Sequence, residues 1–280
     1  MLPHRKAYAA ALAAVVLVLG PAVSGCSDSG GSPMPAPPSG APQARTTTTY
    51  TASRADSGAP TAEDMRTTAD RLRERAKSLG LKNTDVTAAG TVVTIVAPRA
   101  DSDRVAQMTA TALLEFRPVL DPATAAQQGL GQAYSALACD GTTRAITSLP
   151  DGPAVACDSR MKEKYLLGPT ALPGTDVESA TAALDTSNGS GWIINLAFTP
   201  SGSTEFAQVT AKLAQNLQPA NQFAVVVDGE VLSAPAVNSA ITGGQAQISG
   251  SFTREAAENL AAAISSGALP VQLVANGTGR

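Results

Sequence analysis

The side chains that enzymes most often use for acid–base and metal chemistry are scarce in this sequence. Its 280 residues include one histidine, His4, which lies in an N-terminal segment that we expect to be removed. The remaining chain then has no imidazole to act as a general base or as a zinc ligand. Ser159 and Lys162 have the Ser-x-x-Lys spacing of penicillin-recognising enzymes, but the companion Ser-Asp-Asn and Lys-Thr-Gly motifs are missing. The sequence therefore predicts a protein that is not an enzyme and that binds no metal or cofactor.

Asp228 is the acidic residue whose position raises the question of catalysis most directly. It lies between the apolar runs 223–227 and 231–237, and Gly229 follows it. Asp-Gly between two such runs is typical of a type I′ turn, because both central residues of that turn need positive φ angles. A general acid needs a cleft and partner groups that a two-residue corner rarely supplies. We therefore predict that Asp228 and Gly229 form the corner of a β-hairpin.

The N-terminus has the succession of regions that is typical of a secretory signal peptide. Basic residues come first, an apolar run over 7–19 follows, and small residues precede Cys26. Ser24-Gly25-Cys26 resembles the lipobox of bacterial lipoproteins, which implies cleavage after residue 25 and diacylglycerol on the Cys26 sulfur. An ordinary signal peptide with a stray cysteine is the alternative. We expect a protein anchored by this lipid to the outer face of the bacterial cytoplasmic membrane, with residues 26–45 as a Pro- and Gly-rich tether.

Charge and cysteine content limit the partners further. Loss of residues 1–25 removes two of the 20 basic residues and none of the 23 acidic ones, so the net charge becomes −5. An acidic surface does not favour nucleic acid. Cys139 and Cys157 are then the only thiols besides Cys26, and a disulfide between them would stabilise an exported protein by about 3 kcal/mol. Two free thiols are the alternative, although no Cys-x-x-Cys or nearby histidine would activate either one.

Hydrophobic periodicity predicts an α+β protein with two successive α+β regions. In residues 46–120 the order is strand, helix, strand, strand, helix, strand, which is typical of a ferredoxin-like split βαβ unit. The first helix is capped by Thr61, and residues 113–120 supply the last strand. Residues 121–160 have weak periodicity and are predicted to be an insertion that contains the cysteine pair.

The second region, 161–274, is predicted to hold two helices and the hairpin. Thr199 caps the first helix with Pro200 at its first position, and Thr253 caps the second. Gly267 and Pro270 end the second helix. Residues 275–280 are predicted to be a tail.

Three stretches carry a resemblance to a known family. "GWIINLAFTPSGSTEFAQVTAKL" and "NQFAVVVDGEVLSAPAVNSAITGGQAQISGSFTREAAENLAAAISSGALPVQL" resemble the head subdomain of the large extracytoplasmic domain of SecD, an accessory component of the Sec protein-export channel. "MRTTADRLRERAKSLGL" resembles a helix of its base subdomain. The resemblance implies a ferredoxin-like base, an α+β head and a non-enzymatic role.

The resemblance also implies partners, namely translocating preproteins or the Sec machinery. The candidate binding surface consists of the hairpin and the glycine-containing loop after it: Glu230, Ser233, Pro235, Gly243, Gly244 and Gln245. SecD continues into membrane helices that use the proton gradient, whereas this sequence stops at Arg280, so we do not expect it to act as the motor. A cell-envelope ligand-binding or regulatory lipoprotein that reuses the same fold is the alternative function.

Overall fold

The computed structural model describes residues 44–140, 145–147, 152–158, 160–186 and 189–279. The predicted signal peptide, Cys26 and Ser159 lie outside these ranges. The α-helices are α1 (Ala62–Ser78), α2 (Ser102–Met108), α3 (Pro122–Gln127), α4 (Gly131–Ala136), α5 (Pro200–Leu213) and α6 (Arg254–Ser266). The strands are β1 (Arg45–Ser53), β2 (Asp85–Ala89), β3 (Val92–Pro98), β4 (Leu114–Pro118), β5 (Ala145–Thr147), β6 (Ala154–Asp158), β7 (Glu163–Leu167), β8 (Leu172–Pro173), β9 (Val177–Asp185), β10 (Gly191–Phe198), β11 (Phe223–Val227), β12 (Glu230–Ser233), β13 (Gln245–Phe252) and β14 (Gln272–Gly279).

The first region forms a four-stranded antiparallel sheet with the strand order β14-β1-β3-β2, which we call the base sheet. This order, with α1 between β1 and β2, is that of a split βαβ unit and confirms the predicted fold class. Its fourth strand is β14, so the prediction that residues 113–120 supply that strand was wrong, as was the prediction of a tail over 275–280. Periodicity identifies a strand, but the residues that pair with it lie far away in the sequence.

Helix α1 follows the predicted pattern closely. The Thr61 hydroxyl accepts a hydrogen bond from the Asp64 amide, and the Asp64 carboxylate accepts one from the Thr61 amide, which is a capping box. The predicted apolar stripe is buried against the base sheet: Met65, Ala69, Leu72, Ala76 and Leu79. Gly80 ends the helix with φ of 67°, a backbone conformation that glycine adopts without steric cost.

The second region, which we call the head, contains two sheets. One is antiparallel with the order β13-β10-β9, and the other has the order β5-β6-β12-β11-β4-β8, with β7 also paired to β6. Four phenylalanines meet between them, Phe116, Phe198, Phe206 and Phe223, with neighbouring ring centroids 4.5–5.9 Å apart. Strand β4 belongs to this sheet because Phe116 enters the aromatic core, where tilted ring pairs add to the stabilisation from burial.

The described part of residues 121–160 belongs to the head sheet rather than to a separate insertion, which corrects the predicted domain division. Strand β6 pairs with β7 along its whole length and meets β12 at the Cys157–Glu230 pair. Its residues are all buried, and Val155 packs with residues of α3 and α4 in a small apolar cluster. The stretch therefore extends the head sheet, and weak periodicity concealed this because α3 and α4 have only six residues each.

Helix α6 is shared by the head and the base. Ala257, Ala261 and Ile264 pack in the head core, whereas Ala262 packs in the base core with Leu269. The chain therefore leaves the base after α2, builds the head, and returns along α6 to place β14 in the base sheet. A single helix that buries two faces makes the two regions mutually dependent for stability.

Candidate functional site

The corner of the β11–β12 hairpin has the predicted geometry. Asp228 has φ of 50° and Gly229 has φ of 78°, and Val227 pairs with Glu230 across the two-residue loop. These values agree with a type I′ turn. The second arm is shorter than predicted, because β12 ends at Ser233.

The side chain of Asp228 has a role that the turn pattern did not predict. Its two carboxylate oxygens accept hydrogen bonds from the main-chain amides of Ala112 and Leu113, each at 2.9 Å. The Asp228 amide in turn donates to the Leu113 carbonyl oxygen at 3.0 Å. The corner is therefore bonded to the segment through which the chain passes from the base to the head. Both carboxylate oxygens are therefore occupied in hydrogen bonds that connect the two segments.

A second polar group at this junction is Arg75 of α1, which has no exposed surface. Its guanidinium donates to carbonyl oxygens that follow α2 and α6, and its Nε donates to the Ser266 hydroxyl at 2.9 Å. The shorter carbonyl contacts are to Met108 at 2.8 Å, Ala110 at 2.5 Å and Gly267 at 2.9 Å. Carbonyl groups at helix C-termini carry partial negative charge, so they stabilise a buried cation without a carboxylate partner.

Burial lowers the pKa of Arg75 to about 10, with the Asp228 charge raising it and the nearby Arg71 lowering it. This pKa still lies well above neutrality, so the guanidinium remains protonated at neutral pH. Sequence reasoning missed the residue because an arginine in a helix rich in charged residues is usually exposed. Its spacing was the available signal, since position 75 lies three residues after Leu72 and four before Leu79 on the buried face.

The predicted binding-surface residues do not form one patch. Glu230 and Ser233 lie within β12 and are half-buried, with Glu230 beside Cys157 of β6. Pro235, Gly243 and Gln245 are exposed and Gly244 is half-buried. Pro235, Gly243 and Gln245 are therefore the most accessible of the six residues.

Pro235 lies at the rim of a small apolar cavity in the head. The cavity has a volume of about 120 Å³, and the rings of Phe116, Phe206 and Phe223 form its floor. Ile241 and Gln247 complete the rim, and Ala246, the neighbour of Gln245, lines its wall. A hydrogen bond of 3.0 Å from the Phe223 amide to the Pro235 carbonyl oxygen fixes the position of the rim. Pro235 is therefore the one residue of the predicted surface that lines this opening to the aromatic core.

The structure joins Cys139 and Cys157 by a disulfide, with their Cα atoms 5.4 Å apart, a usual separation for such a bond. Both residues are buried beneath α4 and β7. The bridge connects the loop after α4 to the penultimate residue of β6. Its formation in the exported protein remains a prediction.

The Ser-x-x-Lys motif lies at the turn between β6 and β7. Ser159 itself is outside the described residues. The Asp158 carboxylate accepts hydrogen bonds from the amides of Arg160 and Met161 at 3.0 and 3.1 Å, and Lys162 has φ of 56°. The described residues of this segment form an aspartate-stabilised turn. Among the described residues, none of the helices α1–α6 combines the length and the apolar character that a transmembrane helix requires.

Comparisons with known proteins all identify similarity to one family. Residues 153–271 match the family model described as SecDF, P1 head subdomain. The protein translocase subunit SecD of Streptomyces coelicolor is 47% identical over 158 residues, which cover 54% of this chain and 27% of that protein. The protein translocase subunit SecDF of Thermus thermophilus is 32% identical over 229 residues, which cover 78% of this chain and 28% of that protein.

Solved structures give the same result. A SecDF crystal structure in a super-membrane-facing form matches with a TM-score of 0.60 and 27% identity, over 87% of this chain and 32% of the other. A structure described as a membrane component SecDF that enhances protein export matches with a TM-score of 0.57 and 28% identity, over 82% of this chain and 98% of the other. The chain spans about a quarter of the length of the two curated relatives. The part of the chain that the structure describes is therefore an extracytoplasmic domain of the SecD/SecDF type, with the P1 head subdomain in its second half.

Proposed function

We propose that this chain is a lipid-anchored extracytoplasmic module that binds exported polypeptides next to the Sec translocon, and that it does so without enzymatic activity. The observation that carries the proposal is the match of residues 153–271 to the P1 head subdomain of SecDF. The names of the relatives connect them with protein translocation and export. The Cys26 anchor would hold the module at the outer face of the cytoplasmic membrane.

The apolar cavity of the head supports binding of an unfolded chain. A polypeptide that leaves a translocation channel exposes apolar side chains that its folded form would bury. The cavity of about 120 Å³ is close in size to the roughly 150 Å³ that accommodates a benzene ring in other proteins, so it suits one aliphatic or aromatic side chain. Ile241, which is 39% exposed, and Pro235 place apolar surface around the opening.

The proposal is tested by measuring the binding of a reduced, carboxymethylated secretory protein to the full processed chain by fluorescence anisotropy. The same secretory protein in its native state is the reference. We expect the unfolded form to bind at least tenfold more tightly, because only it exposes apolar side chains. Equal binding of both forms, or binding of neither, would contradict the proposal and favour the ligand-binding lipoprotein.

A matched pair of variants locates the site. Ile241→Asp places a charge at the cavity rim, and Leu217→Asp places one at an apolar residue that is 87% exposed and outside the cavity lining. We expect Ile241→Asp to weaken binding about tenfold, which corresponds to about 1.4 kcal/mol, and Leu217→Asp to leave it unchanged.

A further inference from the structure

A groove of about 810 Å³ lies between β9 and α6, beside the head core, to which its lining residues Ala180 and Ala261 also belong. One wall is the main chain of residues 180–182, and the other is the face of α6 that carries Glu258 and Ser265. The end of α1 and Arg104 of α2 close the groove on the base side. The groove is separate from the phenylalanine-lined cavity, with which it shares no lining residue.

Strand β9 is an edge strand, and its hydrogen bonds show which main-chain groups point outward. The Ser265 hydroxyl accepts a hydrogen bond from the Ala180 amide at 2.8 Å and donates one to the Ala180 carbonyl oxygen at 2.9 Å. The Ala180 main chain therefore points away from β10, its neighbour in the sheet. Because the direction alternates along an antiparallel strand, the amide and carbonyl groups of Ala182 and Leu184 also point away from β10.

These outward groups of Ala182 and Leu184 have no hydrogen-bond partner among the residues that the structure describes. Edge strands that avoid pairing usually carry a charged residue, a proline or a bulge. Strand β9 carries acids only at its two ends, Glu178 and Asp185, and its register shift with β10 also lies at the Glu178 end. Residues 179–184 between them, Ser-Ala-Thr-Ala-Ala-Leu, include no charged residue and no proline and pair regularly with β10. Leu184 is 53% exposed beside this edge. The edge is therefore open to another strand.

We propose that an extended polypeptide segment binds in this groove by adding a strand to the edge of β9. A strand that runs between a sheet edge and a facing helix is a known mode of peptide recognition, in which main-chain hydrogen bonds supply the affinity. An extended residue occupies roughly 160 Å³, taking about 3.3 Å along the strand, 4.8 Å to the next strand and 10 Å between layers. The groove therefore has room for about five residues, enough to pair with Ala182 in its wall and to continue along the edge to Leu184, which lies two residues beyond the lining.

The charges around the groove point to recognition of the main chain rather than of charged side chains. Two bases, Arg104 and Arg254, and two acids, Glu255 and Glu258, border it. Arg254 is held by Glu258 at 2.7 Å and lies over the Trp192 ring. Opposite charges of equal number do not favour a segment of either net charge. A groove of this kind accepts unfolded segments of varied sequence.

This inference rests on the proposed function and specifies how the unfolded chain is held. It is tested by residue-resolved amide hydrogen exchange of the full processed chain, with and without the reduced, carboxymethylated secretory protein. We expect the amides of Ala182 and Leu184 to exchange at least tenfold more slowly in the complex. The Ala183 amide, which points toward β10, should change little. Binding that leaves the exchange at positions 182 and 184 unchanged would overturn strand addition and leave the proposed function intact, whereas absence of any binding would overturn both.

A pair of variants gives a second readout. Leu184→Pro removes the outward amide, which an edge strand tolerates, and Leu184→Ala removes the side chain but keeps the amide. We expect Leu184→Pro to weaken binding of a short peptide of alternating valine and threonine about tenfold, and Leu184→Ala to weaken it much less. The same peptide with every main-chain amide methylated should not bind. Equal binding of the methylated and unmethylated peptides would overturn the proposal, even if the proline variant failed to fold.

Discussion

The Asp228 carboxylate accepts a hydrogen bond of 2.9 Å from the main-chain amide of Leu113, so that the hairpin corner of the head is bonded to the segment that leaves the base. A second bond of 2.9 Å from the Ala112 amide occupies the other carboxylate oxygen. The corner and the crossover between the two regions are thus one structural unit. Substitutions at this corner are therefore expected to change the stability of the domain.

The Asp228→Asn variant tests whether the Asp228 carboxylate stabilises the fold through its hydrogen bonds, in addition to the turn conformation of this residue. A turn alone predicts a neutral change, because asparagine tolerates the same left-handed backbone. The structure predicts a loss of about 1–3 kcal/mol in the free energy of unfolding, because the amide group of asparagine offers one acceptor where two amides donate. Denaturant unfolding measures this loss of stability, and Glu205→Gln on the exposed side of α5 is the control. A change below about 0.5 kcal/mol would remove the role assigned to the carboxylate.

Gly229→Val tests the conformation of the corner. A β-branched residue at φ of 78° is strained, and we expect a loss of about 2 kcal/mol or more in the free energy of unfolding. Gly243→Val is the matched control, because an added side chain meets no atom within 4 Å there and the position does not require a positive φ. If both variants unfold at the same denaturant concentration as the parent, the type I′ corner is wrong.

Arg75→Lys removes the planar fork but keeps the positive charge. We expect about 3–5 kcal/mol of lost stability, because one ammonium group cannot reach the carbonyl oxygens after both α2 and α6, which would then lack donors. Arg66→Ala, on the exposed face of the same helix, should cost less than about 0.5 kcal/mol. A stable Arg75→Lys protein would show that the fork is not needed for the base and head to pack.

The disulfide prediction changes once β6 is placed in the head sheet. A bridge within a separate insertion would affect the head little when lost, whereas Cys157 lies beside Glu230 of the hairpin. We expect reduction, or Cys157→Ala, to lower the stability of the whole domain by about 2–5 kcal/mol. Thermal melts with and without reductant measure this. Labelling of both cysteines in the native, unreduced exported protein would refute the pairing.

Cys26→Ala tests the anchor. We expect the variant either to leave the membrane fraction or to keep its signal peptide, because cleavage and lipidation both require the cysteine. Fractionation and the mass of the N-terminus provide the measurement. A variant that loses its signal peptide and still remains with the membrane would contradict lipid anchoring through Cys26.

Local features of this fold could be predicted from the sequence, and long-range ones could not. The caps at Thr61, Thr199 and Thr253 were predicted correctly because a cap depends on residues within one helical turn. The sheet to which β4 belongs was not predicted correctly, because Phe116 of β4 lies next to Phe223, which is more than a hundred residues later in the chain. The roles of Arg75 and Asp228 depend on main-chain atoms of other elements, which no pattern of residue types specifies.

The candidate binding surface shows the same difference between local features, which could be predicted, and long-range ones, which could not. The exposed Pro235 and Gln245 follow from turn and loop signals near the hairpin, whereas the partial burial of Glu230 involves its pairing with Cys157 of β6, a strand that periodicity placed outside the head. The open edge of β9 also escaped prediction, because pairing on only one side of a strand is a property of the whole sheet.

Site-specific photo-crosslinking in cells tests the central claim most directly. A photoreactive phenylalanine analogue at Ile241, on the rim of the head cavity, is compared with one at the exposed Lys82 of the base while a secretory preprotein is arrested during translocation. The account predicts a crosslink to the arrested preprotein from position 241 that is absent or much weaker from position 82. No crosslink from position 241, or equal crosslinks from both positions, would contradict the claim that this head binds exported polypeptides.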